Sequence, residues 1–236
     1  MVSQLLFGEY AFVKEEKDDF VFIRCEYDNY EGWVQASQLT LLPDSSKYQT
    51  SYFTNNHSTT ISIDSMLAHI SFGSPVFNPD QFAFSVAGKQ CRYLMQPQQI
   101  WNAAKMVFTE TTLQAVYQPF LNTPYLWGGR SVFGVDCSGF AQQVFKFFGV
   151  TLLRDAYLQA GQGKGVSSVA EARFGDLAFF QNEKGRITHV GIVLSGNRIV
   201  HAAGKVRIDT LDEKGIYNSK SAKYSHAFHS IRRIVG

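Results

Sequence analysis

Residues 124–139 read P-Y-L-W-G-G-R-S-V-F-G-V-D-C-S-G. A glycine-rich aromatic loop runs into Asp136-Cys137-Ser138-Gly139, where a helical pattern begins. Phe140, Val144, Phe147 and Phe148 recur at helical spacing and Gly149 supplies a stop, so the pattern predicts a helix over residues 137–148. Cys137 falls in its first turn, where unpaired backbone N–H groups and the positive end of the helix dipole favour a thiolate. His189 and His201 follow on later apolar segments. A cysteine at a helix start with two downstream histidines is the skeleton of a cysteine-nucleophile hydrolase.

Outward from this stretch, residues 176–180 (D-L-A-F-F), 187–194 (I-T-H-V-G-I-V-L) and 198–202 (R-I-V-H-A) read as strands, and residues 226–235 alternate well enough for a last one. His189 shares a face with Ile187, Gly191 and Val193. With a three-residue Ser195-Gly196-Asn197 loop, His201 pairs opposite Gly191 and diagonal to His189 on that same face; a two-residue loop would turn the two rings apart. Gly191 also leaves room for an imidazole and a substrate. Upstream, residues 97–117 carry Ile100, Ala103, Ala104, Val107 and Phe108 on one face and predict one or two helices, and residues 155–161 a short one. Helices followed by an antiparallel sheet make an α+β pattern.

The first half is strand-like. Residues 4–7, 11–14, 20–27, 32–35 and 39–42 are short strands between polar turns, which implies a small barrel over residues 1–42. Residues 43–57 are a polar joint. Residues 60–63, 67–71, 82–86 and 90–94 form a second β unit, so that residues 43–98 are a second barrel-like unit or a linker and residues 99–236 the catalytic domain.

Composition narrows the function. Twenty-two basic against 20 acidic side chains leave no nucleic-acid groove. Three widely spaced cysteines, Cys25, Cys91 and Cys137, are not a disulfide framework and suit a reducing compartment. The sequence shows no leader-like start and no apolar run of about 18 residues, so a cytoplasmic protein without a membrane partner is expected. Chemistry assigns the roles: Cys137 the nucleophile, His189 its base and later acid, His201 the orienting third member, and the backbone N–H of Cys137 an oxyanion donor. Asp136 suits a cationic group on the substrate. The competing reading takes Cys137, His189 and His201 as zinc ligands; on the catalytic reading neither a metal nor another cofactor is needed.

The segments P-Y-L-W-G-G (124–129), D-C-S-G-F (136–140), R-D-A-Y-L-Q (154–159), G-D-L-A-F-F (175–180), T-H-V-G-I (188–192) and I-V-H-A (199–202) resemble the NlpC-type cysteine peptidases, papain-like enzymes that cut bacterial cell-wall peptides. The resemblance implies a Cys137–His189–His201 triad in a papain-like domain of helices packed on an antiparallel sheet, preceded by bacterial SH3-like barrels. Within that family the chain is most similar to the γ-D-glutamyl-L-diamino acid endopeptidases, also called dipeptidyl-peptidase VI. That similarity implies hydrolysis of the γ-D-glutamyl–diamino acid bond of murein peptides with a free N-terminal L-Ala, release of L-Ala-γ-D-Glu and a small-peptide partner; a monomer is expected separately. It further nominates Tyr30, in D-N-Y-E-G-W (28–33), as a residue reaching the active site beside the oxyanion, and Asp136 and Ser138 as substrate contacts. Arg154 and Asp155 keep the family's R-D pair, as a substrate contact or a structural salt bridge. Ala156 departs from a serine found in some members, and the acidic loop usually found upstream of residues 2–9 is not seen. A wall-peptide binding module without activity, or another amide hydrolase on the same scaffold, are the alternatives.

Overall fold

The computed structural model describes residues 1–42 and 49–236; the first part of the expected joint, residues 43–48, lies outside them. Three strands, β1 (Ala11–Lys17), β2 (Phe20–Cys25) and β3 (Glu31–Gln35), form an antiparallel sheet in chain order. Val21, Ile23 and Cys25 alternate inward on β2, and Leu5, Ala11, Val34 and Leu39 pack against them. Residues 4–7 are not the strand expected from their pattern, because their polar groups are used elsewhere. The Gln4 carbonyl accepts from Arg130 Nη1 at 2.8 Å, and the Leu6 N–H donates to Glu9 at 3.0 Å. Residues 39–42 add no strand either; only Leu39 joins the cluster.

The second unit holds β4 (Tyr52–Thr54), β5 (Ser58–Ile63), β6 (Met66–Ser71), β7 (Ala83–Val86), β8 (Lys89–Leu94) and β9 (Ile100–Asn102). Its four-stranded sheet runs β6-β5-β8-β7 over Ile61, Ile70, Phe84, Cys91 and Tyr93, while β4 pairs with β9. That last pairing corrects the helical reading of residues 97–117. Phe53 sits opposite Trp101, whose Nε1–H donates to the Phe147 carbonyl at 2.6 Å, so tertiary pairing overrides the local period. Only α1 (Glu110–Tyr117) is an α-helix there, started by Thr109 and Thr112 in a reciprocal cap.

The last unit carries the short hairpin β10 (Arg130–Ser131) and β11 (Gly134–Val135), then α2 (Cys137–Lys146) and α3 (Ala156–Gln159). It continues with β12 (Lys164–Val166), β13 (Leu177–Gln181), β14 (Ile187–Leu194), β15 (Arg198–Ala203), β16 (Lys205–Asp212), β17 (Gly215–Asn218) and β18 (Lys223–Arg233). The strands are ordered β12-β18-β13-β14-β15-β16-β17, and β17 pairs again with β18, closing β13 to β18 into a barrel. One face of this sheet, with Phe179, Val190, Ile192 and Val200, packs under Phe140, Ala141, Val144 and Phe145 of α2. The other encloses Ala178, Phe180, Val193, Ile199, Leu211 and Ile216. Strands β16 and β17 are absent from the sequence reading: β16 alternates, but its inward positions before Leu211 are Arg207 and Asp209, which mask the apolar period. Among the described residues, no helix is long and apolar enough to cross a membrane.

A buried ion cluster fastens the three units together. Glu9 accepts from Arg130 at 2.8 and 3.1 Å and from Lys146 at 2.7 Å, and Lys146 also donates to the Gly73 carbonyl at 2.9 Å. Tyr27 lies under both cations. Burial by itself would raise the Glu9 carboxyl, but Arg130 and Lys146 outweigh it and hold it at about 2. Since its folded value is depressed, this carboxylate stabilises the fold above its unfolded value of about 4.5 and ceases to do so as pH falls toward about 2. Glu9→Gln leaves two buried cations short of an anion and is expected to cost about 3–5 kcal/mol. Urea unfolding at neutral pH measures this, and the gap between variant and wild type should close as the pH is lowered through that window.

Candidate active site

Cys137 opens α2, and the local chain dictates where. Asp136 is the N-cap: its Oδ1 accepts the Gly139 N–H at 2.7 Å, which turns the chain into the helix. Gly139 is needed there because a Cβ would stand 2.4 Å from the Gly129 carbonyl oxygen. All ten residues of α2 are buried. Its polar side meets the N-terminal units, with Gln142 Nε2 donating to Asp28 at 2.8 Å and Lys146 reaching Glu9.

The sulfur of Cys137 lies against β14, within reach of the backbone N–H groups of Val190 and Ser138. The β14–β15 ladder runs from Leu194↔Arg198 to Gly191↔His201 and ends there. The three-residue loop therefore places His201 opposite Gly191, as its spacing implied, and His189 one pair further on. Their rings meet: His189 Nε2 and His201 Nδ1 are 2.9 Å apart. A Cβ on Gly191 would come within 2.9 Å of the His201 Cβ, so only glycine lets these strands carry the pair. His201 is wholly buried and His189 nearly so.

Three further groups complete the cluster; of these only Tyr125 falls in a quoted motif, P-Y-L-W-G-G, and the sequence assigned a role to none of them. Asp209 Oδ2 lies 3.0 Å from His201 Nε2 and accepts from Arg207 Nε at 2.8 Å. His226 stacks on His189, with centroids 4.0 Å apart and planes at 22°, and it also borders an open groove of about 960 Å³ that includes Arg186, Thr188 and Ser225. The phenol of Tyr125 lies close enough to Cys137 for the thiolate's charge to bear on it. His189, His201 and His226 bring ring nitrogens within 4.8 Å of one another. Stacked rings cannot both aim their in-plane lone pairs at one ion, and His201 has both nitrogens engaged, so this set does not fit a metal.

The electrostatics depart from the expected stored thiolate. Burial, reinforced by the Asp136 carboxylate, pushes the Cys137 thiol up to about 11, against the pull of the Val190 and Ser138 N–H groups and of Arg154. Burial also holds His189 well below the usual imidazole range, with His226, His201 and Arg207 acting in the same direction. At rest the Cys137 thiol and the His189 imidazole are both neutral.

The remaining sequence-nominated residues form a second cluster next to Cys137. Asp136 receives Arg154 in a two-pronged pair, at 3.0 Å (Nη1–Oδ1) and 2.6 Å (Nη2–Oδ2), together with the Gly128 N–H at 2.9 Å and the Ser138 hydroxyl at 3.3 Å. With the cap bond to Gly139, its acceptor capacity is filled. Arg154, 1% exposed, also donates to the Ser138 and Ser3 hydroxyls. Tyr30, held by an Asp28–Tyr30 turn, bonds through its hydroxyl to the half-buried carboxylate of Asp155. Burial raises the Asp155 carboxyl against the pull of Arg154 and Tyr30.

A papain-like arrangement, with a cysteine opening a helix laid on a barrel that carries paired histidines, defines the class as cysteine peptidase. Residues 122–224 match the NlpC/P60 family and residues 1–39 the bacterial dipeptidyl-peptidase SH3 domain. A γ-D-glutamyl-L-lysine dipeptidyl-peptidase of Bacillus subtilis (strain 168) is 32% identical over 240 residues, covering 89% of this chain and 76% of the relative. The murein DD-endopeptidase MepS/murein LD-carboxypeptidase of Escherichia coli (strain K12) is 38% identical over 104 residues, 43% of this chain and 54% of its own length. A crystal structure of an NlpC/P60 family protein from Bacillus cereus (ATCC 10987) superposes with a TM-score of 0.81 at 22% identity, over 99% of this chain and 81% of that one, which shows a shared fold. The chain belongs to the NlpC/P60 family of cysteine peptidases.

The neutral resting pair has a measurable consequence. Alkylation of Cys137 by iodoacetamide should be slow near pH 7 and climb toward its limiting rate as pH approaches about 11. A rate already at its limit below pH 7 would show a stored thiolate instead.

Proposed function

We propose that this protein hydrolyses the γ-D-glutamyl–L-diamino acid bond of murein peptides that carry a free N-terminal L-Ala, releasing L-Ala-γ-D-Glu. The observation that carries the reading is the pairing of two clusters beside one helix start: the His189–His201 hydrogen bond on the barrel side, and the Tyr30–Asp155 pair where the SH3 domain meets the cap of α2. The similarity to the Bacillus subtilis dipeptidyl-peptidase supports the bond type.

On this reading Cys137 attacks as its proton passes to His189. Nε2 of His189 is committed to His201, which leaves Nδ1 as the accepting nitrogen. The oxyanion is met by the backbone N–H of Cys137 and by the Tyr30 hydroxyl, whose one proton turns from Asp155 to the oxyanion once the substrate's ammonium occupies that carboxylate. Protonated His189 gives its proton to the leaving amine, and water then cleaves the thioester at Cys137. Passing the proton within the encounter suits a thiol held at about 11 better than storing charge on the sulfur.

The substrate's ammonium goes to Asp155 with Tyr30, rather than to Asp136 as the sequence had suggested. A cation at Asp136 would face the Arg154 guanidinium across a carboxylate with no acceptor site left, whereas Asp155 is accessible. Arg154 is then the structural half of the R-D pair, and Ser138 contributes through its backbone and its bond to Asp136. We read the four-stranded unit within residues 49–98 as a second SH3-like module, and the protein as a cytoplasmic monomer acting on small peptides, with neither nucleic acid nor membrane as partner; a formal net charge of +2 supports the latter.

The test is incubation with L-Ala-γ-D-Glu-diaminopimelate and with its N-acetylated form, followed by mass spectrometry of the products. Release of L-Ala-γ-D-Glu from the free-amine peptide alone is the expected outcome. Binding of the peptide without cleavage would leave a recognition module. Asp155→Asn should raise KM for the free-amine peptide about tenfold to a hundredfold, the worth of one charge-assisted contact of about 1.5–3 kcal/mol, and should leave discrimination against the acetylated peptide largely lost.

A further inference from the structure

We propose that Asp209 is a positioning residue that dictates, through His201, which nitrogen of His189 carries the proton. The inference rests on His189 being the base for Cys137. Strand β16 brings Asp209 opposite Ile199 in register, facing the barrel interior beside His201. Arg207 donates to Oδ2 from the same strand, and Asn218 of β17 donates to the carboxylate at 3.3 and 3.4 Å. Arg207 is itself held by the Ala203 carbonyl at 2.7 Å. His226 of β18 stands over His189 and edge-on to His201, its own imidazole pushed down to about 4 by burial, His201 and Arg207. The charged groups facing the carboxylate are thus Arg207 and whatever proton His201 brings.

A carboxylate only accepts, so the 3.0 Å contact requires a proton on His201 Nε2. His201 is buried and held below the usual imidazole range, hence neutral, so its Nδ1 is a bare lone pair. The 2.9 Å contact between the rings then requires a proton on His189 Nε2. His189 is neutral as well, which leaves its Nδ1 unprotonated and able to take the Cys137 proton. The reverse assignment would set two lone pairs against each other at the carboxylate. When His189 becomes imidazolium during turnover, Nε2 still donates to His201 and nothing in the chain of bonds needs to turn.

Asp209→Leu is of similar size and withdraws the instruction, because the one oxygen that accepts from both His201 Nε2 and Arg207 Nε is gone and Arg207 is left as a donor on the strand position paired with His201. With no acceptor beside Nε2, His201 carries its proton on Nδ1, and His189 then accepts at Nε2 with its own proton on the nitrogen needed as base. Iodoacetamide alkylation of Cys137 near pH 7 should fall at least about tenfold in the variant, and its rate should converge on that of wild type as pH approaches about 11, where the thiol ionises without a base. With the dipeptide-releasing substrate, kcat should fall at least about a hundredfold with KM within about twofold. An unchanged neutral-pH alkylation rate in a folded variant would overturn the proposal, as would a loss that persists undiminished to high pH, which is the mark of a merely structural role. Should the variant not fold, ¹⁵N NMR of the wild-type imidazoles decides: a protonated Nε2 and bare Nδ1 on His189 are expected, and the opposite tautomer refutes the assignment. Wild-type protein that alkylates by this pattern yet cleaves no murein peptide would sink the substrate reading and leave this one standing.

Discussion

The structure depends on a single buried carboxylate. Asp136 caps the helix that Cys137 opens, accepts the Gly128 N–H of the aromatic loop, and neutralises Arg154, which in turn holds Ser3 from the N-terminal segment and Ser138 beside the nucleophile. Taking an ion pair out of water is costly, and leaving one partner unmatched costs more. The surrounding chain has therefore to deliver every donor to this one group. Loop, helix start and N-terminal segment are brought to a common point by that demand, and Cys137 sits next to it.

The same carboxylate shapes the chemistry. Its charge, added to burial, opposes ionisation of the sulfur one residue away, so the helix terminus does not store a thiolate as an isolated helix start would. The His189 imidazole is kept neutral by its surroundings and held by hydrogen bonds to His201 and, through it, to Asp209. The barrel supplies what a flat sheet could not. Closing β18 onto β17 carries His226 over His189, while β16 brings Asp209 behind His201.

The N-terminal units belong to this arrangement rather than hanging from it. Helix α2 is buried on every side because its polar face is matched by Asp28 and Glu9, and the turn that places Asp28 on Gln142 also presents Tyr30 to Asp155. The SH3 domain thereby closes one side of the site, where the Asp155 carboxylate and the Tyr30 phenol lie together.

What could be read in the amino-acid sequence was what short-range periodicity and turn chemistry encode. Helix α2, strands β13, β14 and β15, the four strands of the second sheet and the odd loop that puts His201 opposite Gly191 all follow from apolar spacing and Gly placement, and residues 1–39 and 122–224 match the domains that the motifs suggested. Residues 100–102 escaped because their pattern is that of a helix while a distant strand claims their backbone. Strand β16 escaped because its inward face carries charge, which is a signal of exposure until the barrel closes around it. Asp136 shows the same limit: one carboxylate beside a cysteine is legible, but its pairing with Arg154 exists only when residues apart in the chain fold onto one another. Identity and local geometry are properties of the sequence; protonation and partnership depend on burial and on long-range neighbours, and those exist only in the folded chain.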